Sequence, residues 1–174
     1  MSIKGLARLV REDWVTNGSD WTNPGFRTLA IYRFGVWRMA VRSRALRWPL
    51  SFIYRRAYYR CRSVYNIELP YTASIGRRLT IQHQGGIVVH GYVTIGDDCV
   101  IHQNCTIGLR RTDKLDDVPV LGAGVEVGPG AVIIGAVHIG DNATVGPKAV
   151  ILEDLPQGAT AFGIPARLCN QQRP

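Results

Sequence analysis

The sequence predicts a mainly β fold, a solenoid that follows a short α-helical N-terminal region. Apolar residues recur at every sixth position of the C-terminal half, namely Leu121, Val127, Ile133, Ile139, Val145 and Ile151. This period fits neither an α-helix nor the two-residue alternation of an isolated strand. It is typical of a coil that spends six residues on each flat face and then turns a corner. A β-sandwich is the less consistent alternative, because its strands vary in length.

The six-residue units also share a composition. Their fifth residue is small and apolar, as a narrow interior requires: Val125, Ala131, Val137, Ala143 and Ala149. The same step continues upstream through Ile75, Ile81 and Ile87, and through Val89, Ile95, Ile101 and Ile107. We therefore expect a coil over residues 67–156, a basic and largely helical region over 1–66, and a closing segment over 157–174.

One break in the repeat predicts a loop. From Ile107 to Leu121 there are 14 residues where two units need 12. The segment between them, residues 108–120, is rich in charged side chains. Regular turns cannot build a pocket by themselves, so we expect this loop to form one wall of a substrate site.

The N-terminal region carries most of the positive charge. Residues 1–66 hold 13 Lys or Arg against 3 acidic residues, whereas residues 67–174 hold 8 against 10. Residues 1–24 are polar and turn-rich, and apolar spacing predicts a helix over about residues 25–46. A second helix is expected with Pro49 in its first turn. Its basic face is either solvated or in peripheral contact with a membrane, and no motif supports nucleic-acid binding.

Several classes of protein are disfavoured. No long uncharged stretch predicts a signal peptide or a spanning helix, so we expect a cytoplasmic protein, with the inner face of the membrane as a second possibility. Four cysteines lack paired spacing and are expected to be reduced: Cys61, Cys99, Cys105 and Cys169. The spacing of His90, His102 and His138 does not match a zinc site, so we expect no metal.

Three segments resemble serine acetyltransferases: residues 26–37 before the coil, residues 67–87 at its entry, and residues 160–167 at its end. The resemblance implies a left-handed parallel β-helix of the hexapeptide-repeat acyltransferases, assembled as a homotrimer with acetyl-CoA as co-substrate. Within that class the short, basic N-terminal region is similar to O-acetyltransferases of polysaccharide biosynthesis.

The resemblance also implies a catalytic pair. The family's general-base histidine corresponds to His83, before Gln84-Gly85-Gly86, and the carboxylate that orients it corresponds to Glu68. A hydroxyl needs such a base within hydrogen-bond reach when it attacks a thioester. Glu68 replaces the family's usual Asp and is one methylene longer.

Two departures from the family bear on the acceptor. Gln82 stands where an acidic residue usually precedes the histidine, and Asp117-Val118 stands where the loop usually has Arg-His. We therefore expect the acceptor to contact Gln82, Asp116, Asp117 and Arg110, and to be a saccharide hydroxyl, small or lipid-linked. The alternatives are a serine O-acetyltransferase with a rebuilt amino-acid pocket and a non-catalytic trimeric scaffold.

The cofactor residues are implied by the resemblance alone. Acetyl-CoA is expected along the groove between neighbouring coils. The matching positions are Gly128, Pro129, Gly130, Pro147, Lys148, Gly163 and Arg167.

Overall fold

A computed structural model describes residues 2–168 as three helices followed by a three-sided parallel β-solenoid. Cys169 and the rest of the predicted closing segment beyond it lie outside the described residues. The helices are α1 (Ile3–Thr16), α2 (Pro24–Met39) and α3 (Arg44–Arg60), and a π-helical turn, Cys61–Tyr65, leads into the coil. The prediction of a mainly β solenoid with N-terminal helices is confirmed.

The strands form three sheets that wrap the coil. Sheet A contains β1 (Ile67–Glu68), β4 (Ile87–Val89), β7 (Thr106–Gly108), β10 (Val132–Ile134) and β13 (Val150–Ile151). Sheet B contains β2 (Ser74–Ile75), β5 (Thr94–Ile95), β8 (Val120–Leu121) and β11 (His138–Ile139). Sheet C contains β3 (Thr80–Gln82), β6 (Val100–His102), β9 (Glu126–Val127), β12 (Thr144–Val145), β14 (Thr160–Gly163) and β15 (Ala166–Leu168). All pairs are parallel except the terminal β14–β15 hairpin.

The interior of the coil is narrow and apolar. The apolar side chains at every sixth position are buried. The small residues two positions before them, such as Ala131, Ala143 and Ala149, are buried as well. Larger side chains at those positions would separate the three sheets, because protein interiors leave few voids and tolerate little extra volume. Cys99 and Cys105 occupy equivalent interior places, and burial raises the pKa of both thiols.

The register reveals two breaks in the repeat, so the prediction of a single break is wrong. Regular coils pair residues 18 apart, as in Leu121 with Ile139. Ile107 pairs with Ile133 across 26 residues because of the predicted loop. A second break lies after β3, where six positions separate Gln82 from Val88 but only four separate their partners in the next coil. Two extra residues therefore enlarge the corner that carries His83.

The helix boundaries differ from those predicted. Residues 3–16 form a helix instead of a turn-rich segment, with the Ser2 side chain accepting a hydrogen bond from Gly5 N. α2 ends at Met39, and α3 begins at Arg44 because Ser43 caps it. Pro49 consequently lies inside α3, beyond its first turn. None of the helices in residues 2–168 is both long and apolar enough to cross a membrane.

The helices close the N-terminal end of the coil. A buried ion pair joins Arg33 to Asp13 at 2.8 Å, and the same guanidinium donates to Ile75 O at 2.9 Å. The Tyr32 hydroxyl donates to Ala73 O and accepts from Ile75 N, at 2.8 and 3.0 Å. The backbone groups of the first coil have no earlier coil to pair with, so these side chains satisfy them.

Candidate functional site

His83 lies on the enlarged corner between β3 and β4. It has a left-handed backbone with φ of 56°, and its side chain is exposed. Gly85 and Gly86, at φ of 109° and 66°, complete the turn. Regular corners of the coil also carry exposed, left-handed non-glycine residues, such as Asn104 and Lys148. The feature peculiar to His83 is therefore the enlargement of its corner by two residues.

The corners that follow β3, β6, β9 and β12 stack along one edge of the coil, which we call the His83 edge (residues 83–86, 103–105, 128–131 and 146–149). Backbone hydrogen bonds link each corner to the next. They run from Asn104 N to Gly85 O at 2.8 Å, from Gly130 N to Gln103 O at 2.9 Å, and from Lys148 N to Pro129 O at 2.9 Å. Five of the predicted cofactor residues, in the ranges 128–130 and 147–148, therefore share one edge with His83.

The His83 edge exposes backbone and few side chains. A Cβ on Gly128 would lie 2.8 Å from Pro147 N, and a Cβ on Gly146 would overlap the Phe162 ring. Lys148 is exposed and has a left-handed backbone, and no carboxylate among residues 2–168 lies within 4 Å of it. A flat edge with one free ammonium group suits a thin acyl-carrier arm and a phosphate.

The last two predicted cofactor residues lie in the terminal hairpin. Gly163 ends β14, and Arg167 pairs with Phe162 across the hairpin. Arg167 also lines a cleft of about 460 Å³ with Glu153 and Asp154 at the C-terminal end of the coil. Arg167 therefore lies at the C-terminal end of the coil, in the hairpin whose Phe162 ring packs against Gly146.

Glu68 points outward from β1, opposite Val88 of β4. Its carboxylate lies 3.4 Å from Arg62 Nε, and no hydrogen bond within the chain joins it to His83. Burial, followed by the charge of Glu68, raises the pKa of Tyr58, so a neutral phenol lies near this carboxylate. Arg62 was missed in the sequence, where it was one of several arginines on a basic helix. Its place one turn before β1 was the available signal.

Glu68 lies in a cleft of about 320 Å³ between the helical region and sheet A. The cleft is also lined by Tyr59, Arg62, Ser63, Asn66, Ile67, Ile87 and Val88. His83 is five residues before Val88 in the chain, so the cleft lies beside the corner that carries the histidine.

The loop over residues 108–120 folds back along the coil. Asp117 Oδ1 accepts a hydrogen bond of 2.6 Å from Ala136 N, which fixes the loop against the corner after β10. Arg111 and Asp113 form an ion pair at 2.9 Å. Arg110, Lys114 and Asp116 line the same cleft of about 570 Å³, and none of them makes an ion pair within residues 2–168. The loop thus offers two cations and one anion that the fold itself does not use.

Within one chain, the loop and His83 are on opposite edges of sheet A. His83 precedes the N-terminal end of β4, and the loop leaves the C-terminal end of β7. Parallel strands of three residues make a face about 10 Å wide. The predicted site residues therefore form two groups, and a single chain does not bring them together.

The remaining polar residues near His83 are on sheet C. Gln82 is exposed and pairs in register with His102, whose Nε2 lies 3.4 Å from Glu126 Oε1. Residues 2–168 contain no group of three His, Cys, Asp or Glu side chains arranged to hold a metal ion.

The known proteins that are similar to this chain include serine acetyltransferases from several organisms. The family model "Bacterial transferase hexapeptide (six repeats)" matches residues 119–153. The serine acetyltransferase of Helicobacter pylori strain J99 is 37% identical over 150 residues, which are 86% of this chain and 84% of that protein. That of Escherichia coli K12 is 33% identical over 147 residues, 84% of this chain but only 51% of the relative.

Solved structures agree with the sequence comparison. Soybean serine acetyltransferase complexed with serine superimposes with a TM-score of 0.80 at 28% identity, covering 95% of this chain and 70% of that one. The enzyme from Neisseria gonorrhoeae, at 21% identity and a TM-score of 0.82, shows the same fold.

These relatives correct one prediction from the sequence. The preferred acceptor, a saccharide hydroxyl, is wrong, and so is the assignment to polysaccharide biosynthesis, because the similar proteins are serine acetyltransferases. The prediction of a saccharide acceptor relied too heavily on two single positions, Gln82 and Asp117. The extent of identity on both chains instead shows that this protein is an acyltransferase belonging to the serine acetyltransferase family.

Proposed function

We propose that the protein is a serine O-acetyltransferase, which transfers the acetyl group of acetyl-CoA to the hydroxyl of L-serine. The observation that carries the proposal is the 37% identity to the Helicobacter pylori enzyme over most of both chains. The arrangement of His83 beside the Gly-rich corners supports it, since a base and a binding edge for the acyl donor are both required.

His83 is proposed as the general base. The serine Oγ forms a bond to the thioester carbonyl carbon while the imidazole takes the hydroxyl proton. When the tetrahedral intermediate collapses, the C–S bond breaks and the imidazolium returns the proton to the departing thiolate. The products are O-acetyl-L-serine and free CoA.

Glu68 is proposed as a positioning residue for this imidazole. A carboxylate on the far ring nitrogen selects the tautomer and stabilises the imidazolium. The Arg62 guanidinium 3.4 Å away now neutralises the carboxylate. Because this pair is about half exposed, it is worth little energy and opens readily when the imidazole approaches.

The loop is proposed to hold the amino acid. L-Serine carries a carboxylate and an ammonium group, so its pocket needs one cation and one anion. Asp116 is the suitable anion, because Asp113 is already paired with Arg111 and Asp117 holds the loop in place. Of the two unpaired cations, Arg110 and Lys114, Arg110 is preferred because a guanidinium group binds a carboxylate through two parallel hydrogen bonds.

A trimer would complete this site. Acyltransferases of this repeat class are typically trimeric. We propose that the loop of one subunit faces the His83 edge of its neighbour, with acetyl-CoA as substrate lying between them on residues 128–130 and 147–148. The two groups on opposite edges of sheet A would then meet across a subunit boundary.

The test is acetyl-CoA turnover, read as released thiol and as O-acetyl-L-serine by mass spectrometry. L-Serine supports turnover and L-alanine, which lacks the hydroxyl, does not. His83→Ala lowers kcat by about 10²- to 10⁴-fold, the usual contribution of a general base. His138→Ala, which removes another exposed histidine on sheet B, leaves the rate unchanged. Turnover with L-serine that survives His83→Ala would refute the role of His83, and no turnover with L-serine would refute the proposed acceptor.

A further inference from the structure

The outward face of α3 carries large aromatic side chains that nothing covers. Trp48, Phe52 and Tyr59 are 74%, 61% and 64% exposed. Together with Arg55 and Arg56 they line a shallow cleft of about 420 Å³, to which residues outside α3 contribute nothing. We call these five residues the aromatic-basic stripe. The opposite face of the helix holds the buried Tyr54 and therefore anchors α3 to the rest of the protein.

The charge around the aromatic-basic stripe is mostly positive. Between Asp20 and Glu68 the chain has ten arginines and no acidic residue. Arg33 is used internally, in the buried pair with Asp13, and Arg62 is paired with Glu68, whose cleft Tyr59 also lines. Arg55 and Arg56 are exposed, and within residues 2–168 no carboxylate lies within 4 Å of either. A second copy of the same surface would be repelled, whereas an anionic surface would be attracted.

We propose that the aromatic-basic stripe docks the protein on the surface of an anionic phospholipid bilayer. Indole and phenol rings favour the depth of the headgroups, and arginine stems extend along apolar surface while their guanidinium groups reach phosphates. From Trp48 to Tyr59 the stripe extends about 16 Å along the helix axis, long enough for α3 to lie flat in the interface. This docking is independent of the proposed acceptor and leaves the coil facing the aqueous phase.

The test is co-sedimentation of the full-length protein with vesicles of phosphatidylcholine alone and with vesicles in which about a third of the lipid is phosphatidylglycerol. The protein sediments with the anionic vesicles only, and rising salt releases it because the attraction is screened. Arg55→Gln with Arg56→Gln lowers the partition coefficient by about 30-fold, the effect of two lost charges near the surface. The matched control, Lys4→Gln with Arg11→Gln, removes the same charge from α1 and has a much smaller effect.

Tryptophan fluorescence supplies a second measurement that does not depend on large substitutions. Anionic vesicles shift the emission to the blue in the parent protein, and Trp48→Phe abolishes most of the shift while sedimentation persists. Equal binding to both kinds of vesicle, or equal weakening by the control pair, overturns the proposal. So does a change of oligomer mass in the Arg55 and Arg56 variant, which would assign the stripe to contacts between copies of the chain. Serine acetyltransferase activity without vesicles is the same in all of these variants, which separates this proposal from the proposed function.

Discussion

A site shared between subunits predicts that two inactive variants restore each other. His83 belongs to the corner after β3, whereas the loop is fixed at Ala136, two strands further along sheet A. The width of the face, about 10 Å, and two strand spacings of about 5 Å separate the groups by about 15 Å. One L-serine molecule is too small to contact both groups within a single chain.

The perturbation combines two defective proteins. One carries His83→Ala, and the other carries Arg110→Ala with Asp116→Ala in the loop. In random mixed trimers, a site is intact only when its histidine comes from a loop variant and its loop from a histidine variant. Each condition holds for half of the subunits, so about a quarter of the sites are intact over all trimers. A trimer that contains both variants has one intact site out of its three, which is about a third.

The assay is thiol release from acetyl-CoA with L-serine, after co-expression of differently tagged variants and purification of mixed trimers by both tags. Each variant alone gives the baseline, and refolded wild-type protein gives the full value. Because homotrimers are removed by the two tags, recovery to about a third of the wild-type rate supports the shared site. Mixed trimers of verified composition that stay at the baseline would show that each chain builds its own site, and the placement of the loop opposite His83 would then be wrong.

Two further variants and one labelling experiment test the packing. Gly146→Ala lowers the melting temperature and the free energy of unfolding, the latter by about 1–3 kcal/mol, because the new Cβ overlaps the Phe162 ring. Adding Phe162→Ala recovers most of that loss. Asp13→Ala costs about 3–5 kcal/mol in denaturant unfolding because Arg33 stays buried without its partner, and Arg33→Met in the same chain reduces that cost. Burial raises the pKa of Cys99 to about 11, so iodoacetamide at neutral pH labels this thiol only after unfolding. Peptide mass spectrometry measures the labelling. Rapid labelling of the folded protein would contradict the buried placement of Cys99.

The coil was predictable because its determinant is local and repeated. Each six-residue unit independently presents an apolar side chain to a common interior. The repeat therefore remains visible in the sequence even where one unit departs from the pattern. The helical region lacks that redundancy. The apolar spacing of α2 continues past Met39, and only the Ser43 cap, a single hydrogen-bonding side chain, separates it from α3. Such a boundary is decided by one side chain and is weakly visible in a pattern.

The site was predictable in its parts but not in its arrangement. The loop was found because it interrupts the repeat, and His83 was found because the resemblance to the family places the general base before Gly85 and Gly86. That Arg62 contacts Glu68, and that Asp117 accepts from Ala136 N, depends on contacts between segments many residues apart. The acceptor was misassigned for a related reason. Substitutions at two positions were taken to change the substrate, although a pocket can supply the same charges from neighbouring positions, which is the role that we propose for Arg110 and Asp116 in the loop.

The two breaks in the repeat supply the residues on which the proposed chemistry depends. A regular corner on the His83 edge has three or four residues and is repeated in each coil, so it suits an extended molecule and does not single out one atom of it. Two extra residues after β3 release one histidine from that constraint, and eight after β7 release the charged loop. Because the two breaks fall on opposite edges of the same sheet, His83 and the loop of one chain do not reach the same substrate molecule. The proposed chemistry therefore requires the trimer. A variant that restores either regular corner should lose activity without losing the coil.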